Sequence, residues 1–259
     1  MSSEKIELWS DAEKLVASGS AFGTFKSCNP SMTYYPADQG QNRGTIIVCP
    51  GGGYSMKADH EGVPIALRLN ALGLNAYVLD YRVQPDLHPS PVLDARRAIS
   101  IARERAAGLG TRTDRIGILG FSAGGHLAAS AGTMWDQEKC RPDAMVLCYP
   151  VITFSKAGHL GSRINLLGES ASLALISDLS IENRVDRRTP PAYIWHTADD
   201  DGVPVENALL MASALAAKQV PFACHIYPHG PHGLGLADDF PDIRHWPEEC
   251  VDFLTKLGF

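Results

Sequence analysis

The chain has 259 residues, of which 45% are hydrophobic and 20% charged. That composition excludes a disordered chain and allows one large domain or two small ones. With 23 Lys and Arg against 29 Asp and Glu the formal charge is −6, the wrong sign for a chain whose main partner is nucleic acid or an anionic membrane.

Residues 1–43 are mixed in character, with one strand expected at Ser31–Tyr35. Thr45–Cys49 (TIIVC) is a continuous apolar run, as a strand buried on both faces requires. A glycine-rich loop follows, then an expected helix over Val63–Leu72 and a strand over Leu74–Leu79. Val92, Leu93, Ala95, Ile99, Ala102 and Ala106 recur near a 3.6 period and predict an amphipathic helix over Pro91–Ala107. Next come a strand at Arg115–Leu119, a small-residue helix at Ala123–Met134 and a strand at Ala144–Cys148. After an interruption the pattern resumes with strand Ala192–His196, helix Val205–Lys218, strand Phe222–Tyr227 and a closing helix near Pro247–Leu257. Alternating strands and helices with short connections predict an α/β domain, a mostly parallel sheet covered on both faces. The interruption, residues 151–189, lacks clear periodicity and is too long for an ordinary connection. It is expected to form a small cap over one end of the sheet, inserted into a single domain spanning 1–259.

Six cysteines (Cys28, Cys49, Cys140, Cys148, Cys224 and Cys250) are scattered without a CxxC pair, three of them (Cys49, Cys148 and Cys224) in apolar stretches. They read as free thiols rather than a disulfide framework. The N-terminus shows no basic-then-apolar leader, and no run of about 18 apolar residues exists. The expectation is a cytoplasmic chain with no membrane span.

Gly120-Phe121-Ser122-Ala123-Gly124 matches G-x-S-x-G directly after one expected strand and before an expected helix. That setting is what a nucleophile elbow needs, because the turn is sharp and only small neighbours fit beside the serine. Cys49-Pro50-Gly51-Gly52-Gly53-Tyr54 follows the strand TIIVC. Three successive glycines suggest a backbone that must approach something closely, here the oxyanion of a tetrahedral intermediate. Gly52, Gly53 and Ala123 are the expected amide donors. A phosphate loop is the other reading, but no Lys-Ser/Thr pair follows and no dinucleotide fingerprint is completed.

A serine nucleophile needs a base, and the base an orienting acid. Strand Ala192–His196 runs into Asp199-Asp200-Asp201, and by position any of the three aspartates can serve. Strand Phe222–Tyr227 runs into Pro228-His229-Gly230-Pro231-His232, where both histidines qualify. His225, His229 and His232 can also be read as a metal cluster, which the intervening Pro and Gly disfavour. His60, His88, His126, His159, His196 and His245 read as structural or surface residues.

With these segments in view, the chain resembles the α/β-hydrolase superfamily. Within it, the chain is similar to the bacterial carbohydrate-esterase and acetylesterase group, xylan-esterase-like and feruloyl-esterase-like. CPGGGY (49–54), LDYRV (79–83), HPSPVLDARRAI (88–99), GFSAGGHLAA (120–129), TADDDGVPVEN (197–207) and HGPHGLGLA (229–237) carry the match. The family's D-x-x-V-P selects Asp200, and its H-G-x-G-L selects His232 over His229. Many esterases begin the oxyanion loop His-Gly-Gly; here Pro50 holds that first position, a departure this subgroup shares.

The resemblance implies an α/β-hydrolase fold and a Ser122–His232–Asp200 triad without metal or organic cofactor. It further implies a small-molecule ester substrate, especially O-acetylated sugars such as xylo-oligosaccharides. Residues 151–189 are not greasy, which disfavours a lipase. The same triad acting as a feruloyl esterase, peptidase or arylformamidase is the runner-up, and a non-catalytic ligand-binding protein of the same fold is the alternative from another class.

Overall fold

Every residue of Thr45–Cys49 is buried, because the strand lies inside a sheet with both faces covered. The computed structural model describes residues 3–17 and 23–259. Its strands are β1 (Glu4–Glu7), β2 (Ser31–Tyr35), β3 (Thr45–Cys49), β4 (Asn75–Asp80), β5 (Ile116–Phe121), β6 (Ala144–Cys148), β7 (Ala192–Thr197) and β8 (Phe222–Tyr227). They form one eight-stranded sheet in the order β1-β2-β4-β3-β5-β6-β7-β8. From β4 to β8 neighbouring strands run parallel, while β2 pairs antiparallel with β4 and β1 antiparallel with β2. The mostly parallel sheet read from the sequence is therefore present, with an antiparallel edge.

The helices are α1 (Asp11–Ala17), α2 (Val63–Ala71), α3 (Ser90–Leu109), α4 (Ala123–Thr133), α5 (Leu160–Leu167), α6 (Leu173–Asp178), α7 (Glu206–Ala217) and α8 (Trp246–Lys256). Val92 and Ile99 of α3, Leu127 of α4 and Met211 of α7 pack into the core on one face of the sheet. Ile65 and Leu69 of α2 with Trp246 and Leu254 of α8 fill the other. The glycine at 110, in the left-handed region with φ 71°, ends α3. At its other end α3 is bolted to the chain after β4. Asp94 accepts from the Arg82 guanidinium at 2.7 and 2.9 Å and from the Trp9 indole at 2.7 Å, and both members of the ion pair are buried.

Two regions differ from the sequence reading. Residues 1–43 hold β1 and α1 besides the expected strand. Glu4–Glu7 has a single apolar residue and no alternation to detect; its strand state comes from pairing with Ser31–Tyr34. Residues 151–189 are also more ordered than their polarity suggests. They contain α5, α6 and a 3₁₀ turn at Ile181–Arg184, and Val151, Ile152, Phe154, Leu166, Leu179 and Ile181 are buried. Helices of eight and six residues are too short for a 3.6 period to show.

All six cysteines are free, with Cys28 and Cys224 only partly buried. Cys224 lies on β8, the outermost strand of its end, which explains its exposure. Among the described residues no helix is long and apolar enough to cross a membrane.

His126 on α4 fastens residues 151–189 to the sheet. Its Nε2–H donates to the Leu179 carbonyl at 2.9 Å and its Nδ1 accepts from the Tyr54 hydroxyl at 2.9 Å. The ring stacks on Phe154 at 4.4 Å. Burial pushes its pKa down to about 4. An unfolded imidazole titrates near 6.5, so between about 4 and 6.5 the unfolded chain binds the extra proton and stability falls as pH falls. His126 is therefore expected to cost the fold roughly 3 kcal/mol on passing from about pH 7 to below pH 4. Urea unfolding of wild type and His126→Gln across that window checks this: the variant's pH slope should be shallower by one proton.

Candidate active site

The parallel strands bring the loops after β3, β5, β7 and β8 to one end of the sheet, where α/β proteins build their sites. Between β5 and α4 the chain turns within one residue. Ser122 sits at φ 53°, ψ −118°, a strained conformation for a side chain other than glycine. Its amide donates to the Cys148 carbonyl at 3.0 Å and its carbonyl accepts from the amides of Val151 and His126 at 3.0 and 3.1 Å. The flanking glycines are forced by contact. A Cβ on Gly120 would run into the Gly124 carbonyl, and one on Gly124 into the carbonyls of Cys49 and Pro50.

Ser122 Oγ lies 2.8 Å from His232 Nε2, and His232 Nδ1 lies 2.7 Å from Asp200 Oδ2. The second Asp200 oxygen accepts from the amides of Gly202 and Val203 at 2.9 and 2.8 Å. Gly202 is required beside the imidazole, since a Cβ there would come 2.9 Å from His232 Cβ. Burial acts to raise the Asp200 pKa, but hydrogen bonds from His196, His232 and the Val203 amide outweigh it. The carboxyl is held well below the usual carboxylate range. It is thus a permanent acceptor that fixes Nδ1 as the protonated nitrogen, leaving Nε2 free to accept from the serine hydroxyl.

The duplicated residue types in the two loops separate cleanly. Asp199 takes His229 at 2.9 Å and the Gly230 amide at 2.8 Å in an exposed pair, while Asp201 is exposed. His225 faces Glu249 at 3.5 Å. The three histidines of the metal reading therefore meet three different carboxylates.

Gly52 (φ 122°) and Gly53 (φ 64°) turn the loop after β3 through backbone conformations that disfavour side chains. Among the described residues, no acceptor takes the amides of Gly52, Gly53 or Ala123. Of the three, the Ala123 amide directly follows Ser122, in the first turn and so at the positive end of α4.

The sequence reading did not single out Glu61, Tyr149 and Asn165, which hold these loops together with His60 and His196, two residues it read as structural or surface histidines. Glu61, buried in the 3₁₀ turn Asp59–Glu61, accepts from the Gly51 amide at 2.7 Å and from the Tyr149 hydroxyl at 2.6 Å. Tyr149 in turn accepts from the Gly235 amide at 2.8 Å, and its ring meets that of His232 edge-on at 5.1 Å. Burial keeps its phenol neutral by pushing its pKa well up. His60 donates to the Gly233 carbonyl at 2.9 Å, and Asn165 of α5 to the Gly53 carbonyl at 2.8 Å. Fully buried His196 donates to the Val203 carbonyl at 2.9 Å and lies 3.3 Å from Asp200. Apart from the His196–Asp200 contact, four residues apart, each partner is distant in sequence or is a backbone atom, which leaves no local signal.

The chain matches the BD-FAE family model over residues 33–215. It is 37% identical to endo-1,4-beta-xylanase B of Butyrivibrio fibrisolvens, covering 81% of this chain and 35% of that protein. It is also 37% identical to an acetylxylan esterase of Xylanibacter ruminicola, covering 78% of this chain and 44% of that protein. The chain thus spans less than half the length of these curated relatives. An acetyl ester-xyloside bifunctional hydrolase from Caldicellulosiruptor lactoaceticus superposes with a TM-score of 0.92 at 44% identity, covering 99% of this chain and 97% of that one.

The Glu61 bridge predicts a specific defect. Glu61→Ala removes both acceptor oxygens, so the Gly51 and Tyr149 bonds are both lost and the glycine loop is released. The kcat for p-nitrophenyl acetate should fall roughly 10–100-fold with KM little changed, as small misplacements near reacting atoms do. Steady-state kinetics, alongside a thermal melt to confirm folding, checks it.

Proposed function

The chain belongs to the BD-FAE family and has the α/β-hydrolase fold, and on that footing we propose that it is a serine carboxylic-ester hydrolase. Its proposed substrates are sugars bearing O-acetyl or other small acyl groups, such as acetylated xylo-oligosaccharides. The observation that carries the reaction type is the continuous hydrogen-bonded relay from Ser122 through His232 to Asp200. The substrate class is supported by the relatives named acetylxylan esterase and acetyl ester-xyloside hydrolase.

In the proposed reaction Ser122 Oγ attacks the ester carbonyl as His232 Nε2 takes its proton. Asp200 stabilises the resulting imidazolium. The amides of Gly52, Gly53 and Ala123 receive the negative oxygen of the tetrahedral intermediate. Collapse breaks the acyl–oxygen bond, and His232 passes its proton to the departing sugar hydroxyl. Water then attacks the acyl-enzyme with His232 again as base, releasing acetate and restoring the serine. These steps call on no metal or organic cofactor.

Ser122→Ala should lower kcat on p-nitrophenyl acetate by roughly 10⁴-fold or more and abolish labelling by a fluorophosphonate probe. His232→Ala should be comparably impaired, whereas His229→Ala, at an exposed pair, should stay within about twofold of wild type. Retained wild-type rate in Ser122→Ala would falsify the reading. A reversed result for the two histidines would move the base to His229. A panel of acetylated xylo-oligosaccharides, feruloyl esters, dipeptide anilides and N-formylkynurenine separates the sugar-ester reading from the other acyl substrates.

A further inference from the structure

His159 precedes α5 and caps it. Its Nδ1 accepts from the Ser162 amide at 3.2 Å and faces the Ser162 hydroxyl at 2.8 Å. A backbone amide can only donate, so Nδ1 carries no proton and the hydrogen of the neutral ring lies on Nε2. Burial holds the His159 pKa below the ordinary histidine value, which favours the neutral ring. Among the described residues, no protein acceptor takes the Nε2–H.

The ring stands beside the reacting centre. A Cβ placed on Gly53 would have His159 Cε1, at 3.8 Å, as its nearest neighbour, so only hydrogen on Gly53 separates the imidazole from the oxyanion loop. Asn165, on the same short helix, donates to the Gly53 carbonyl and fixes that spacing. The histidine is half-buried, so part of its ring remains open to solvent.

A bound acetyl ester offers few acceptors. Its methyl has none, and its carbonyl oxygen faces the amides of Gly52, Gly53 and Ala123. The acceptors that remain are the hydroxyl and ring oxygens of the alcohol. We infer that His159 is a substrate-binding residue whose Nε2–H donates to an oxygen of the sugar leaving group, so that the enzyme favours carbohydrate esters over aryl esters. This inference rests on the sugar-ester hydrolase reading above and adds the residue that recognises the sugar.

His159→Asn tests it. Asparagine retains an acceptor at the helix cap but does not extend to the Nε2 position. The measurement is kcat/KM for a mono-O-acetylated methyl xyloside and for p-nitrophenyl acetate, whose leaving group presents no sugar oxygen. The ratio of the two values cancels any loss of folded enzyme. The expected result is a fall of about tenfold in that ratio, the weight of one well-placed hydrogen bond, carried mainly by KM for the xyloside. An unchanged ratio, whether both substrates are slowed equally or neither is slowed, overturns the assignment of His159 alone. A wild-type enzyme active on the aryl ester but inert on the xyloside overturns the sugar-ester reading and this inference together.

Discussion

The contact on which the site depends is the approach of α4 to the end of β3. Gly124 lies so close to the carbonyls of Cys49 and Pro50 that no side chain fits between them. That approach presses the serine turn against the start of the glycine loop. The proposed nucleophile and the proposed amide donors of the glycine loop follow strands β5 and β3, adjacent in the sheet though distant in sequence. Any side chain at 124 would wedge them apart. The strain at Ser122 is sustained because its amide and carbonyl are both engaged by neighbouring backbone.

A second constraint keeps the loops from drifting. The loop after β8 carries the histidine and has little regular structure, yet it is tied at Gly230, Gly233 and Gly235 by Asp199, His60 and Tyr149. Glu61 links that loop, through Tyr149, to the Gly51 amide at the head of the glycine loop. A buried carboxylate is costly unless its oxygens are satisfied, and here both oxygens have short donors. Glu61 thus serves as a strut between the two halves of the cleft rather than as a reacting group.

Much of the fold was legible because parallel strands read as apolar runs and the long helices show their period. Strands such as Ala144–Cys148 and Phe222–Tyr227 have the boundaries read from sequence alone. Glu4–Glu7 and the short helices at 160–167 and 173–178 were not legible. Pairing and packing, not pattern, hold them in place. In the site, Ser122 announced itself through its glycines and its place between strand and helix. Local chemistry left three aspartates and two histidines open; only the family resemblance favoured Asp200 and His232. The geometry shows why: Asp199 and His229 form a pair parallel to Asp200 and His232, but without the serine. Struts such as Glu61 and Tyr149 were invisible because their partners are backbone amides or residues far along the chain.

His126 bears on how this scaffold tolerates exchange of parts. Its ring receives the Tyr54 hydroxyl beside the glycine loop and gives its proton to Leu179 in the 151–189 segment. That segment is therefore not a free accessory to be traded among relatives at will. A transplanted replacement that failed to present a carbonyl at that point would strand an imidazole N–H in the interior. The loss would be felt first in α4, the helix that Ser122 opens.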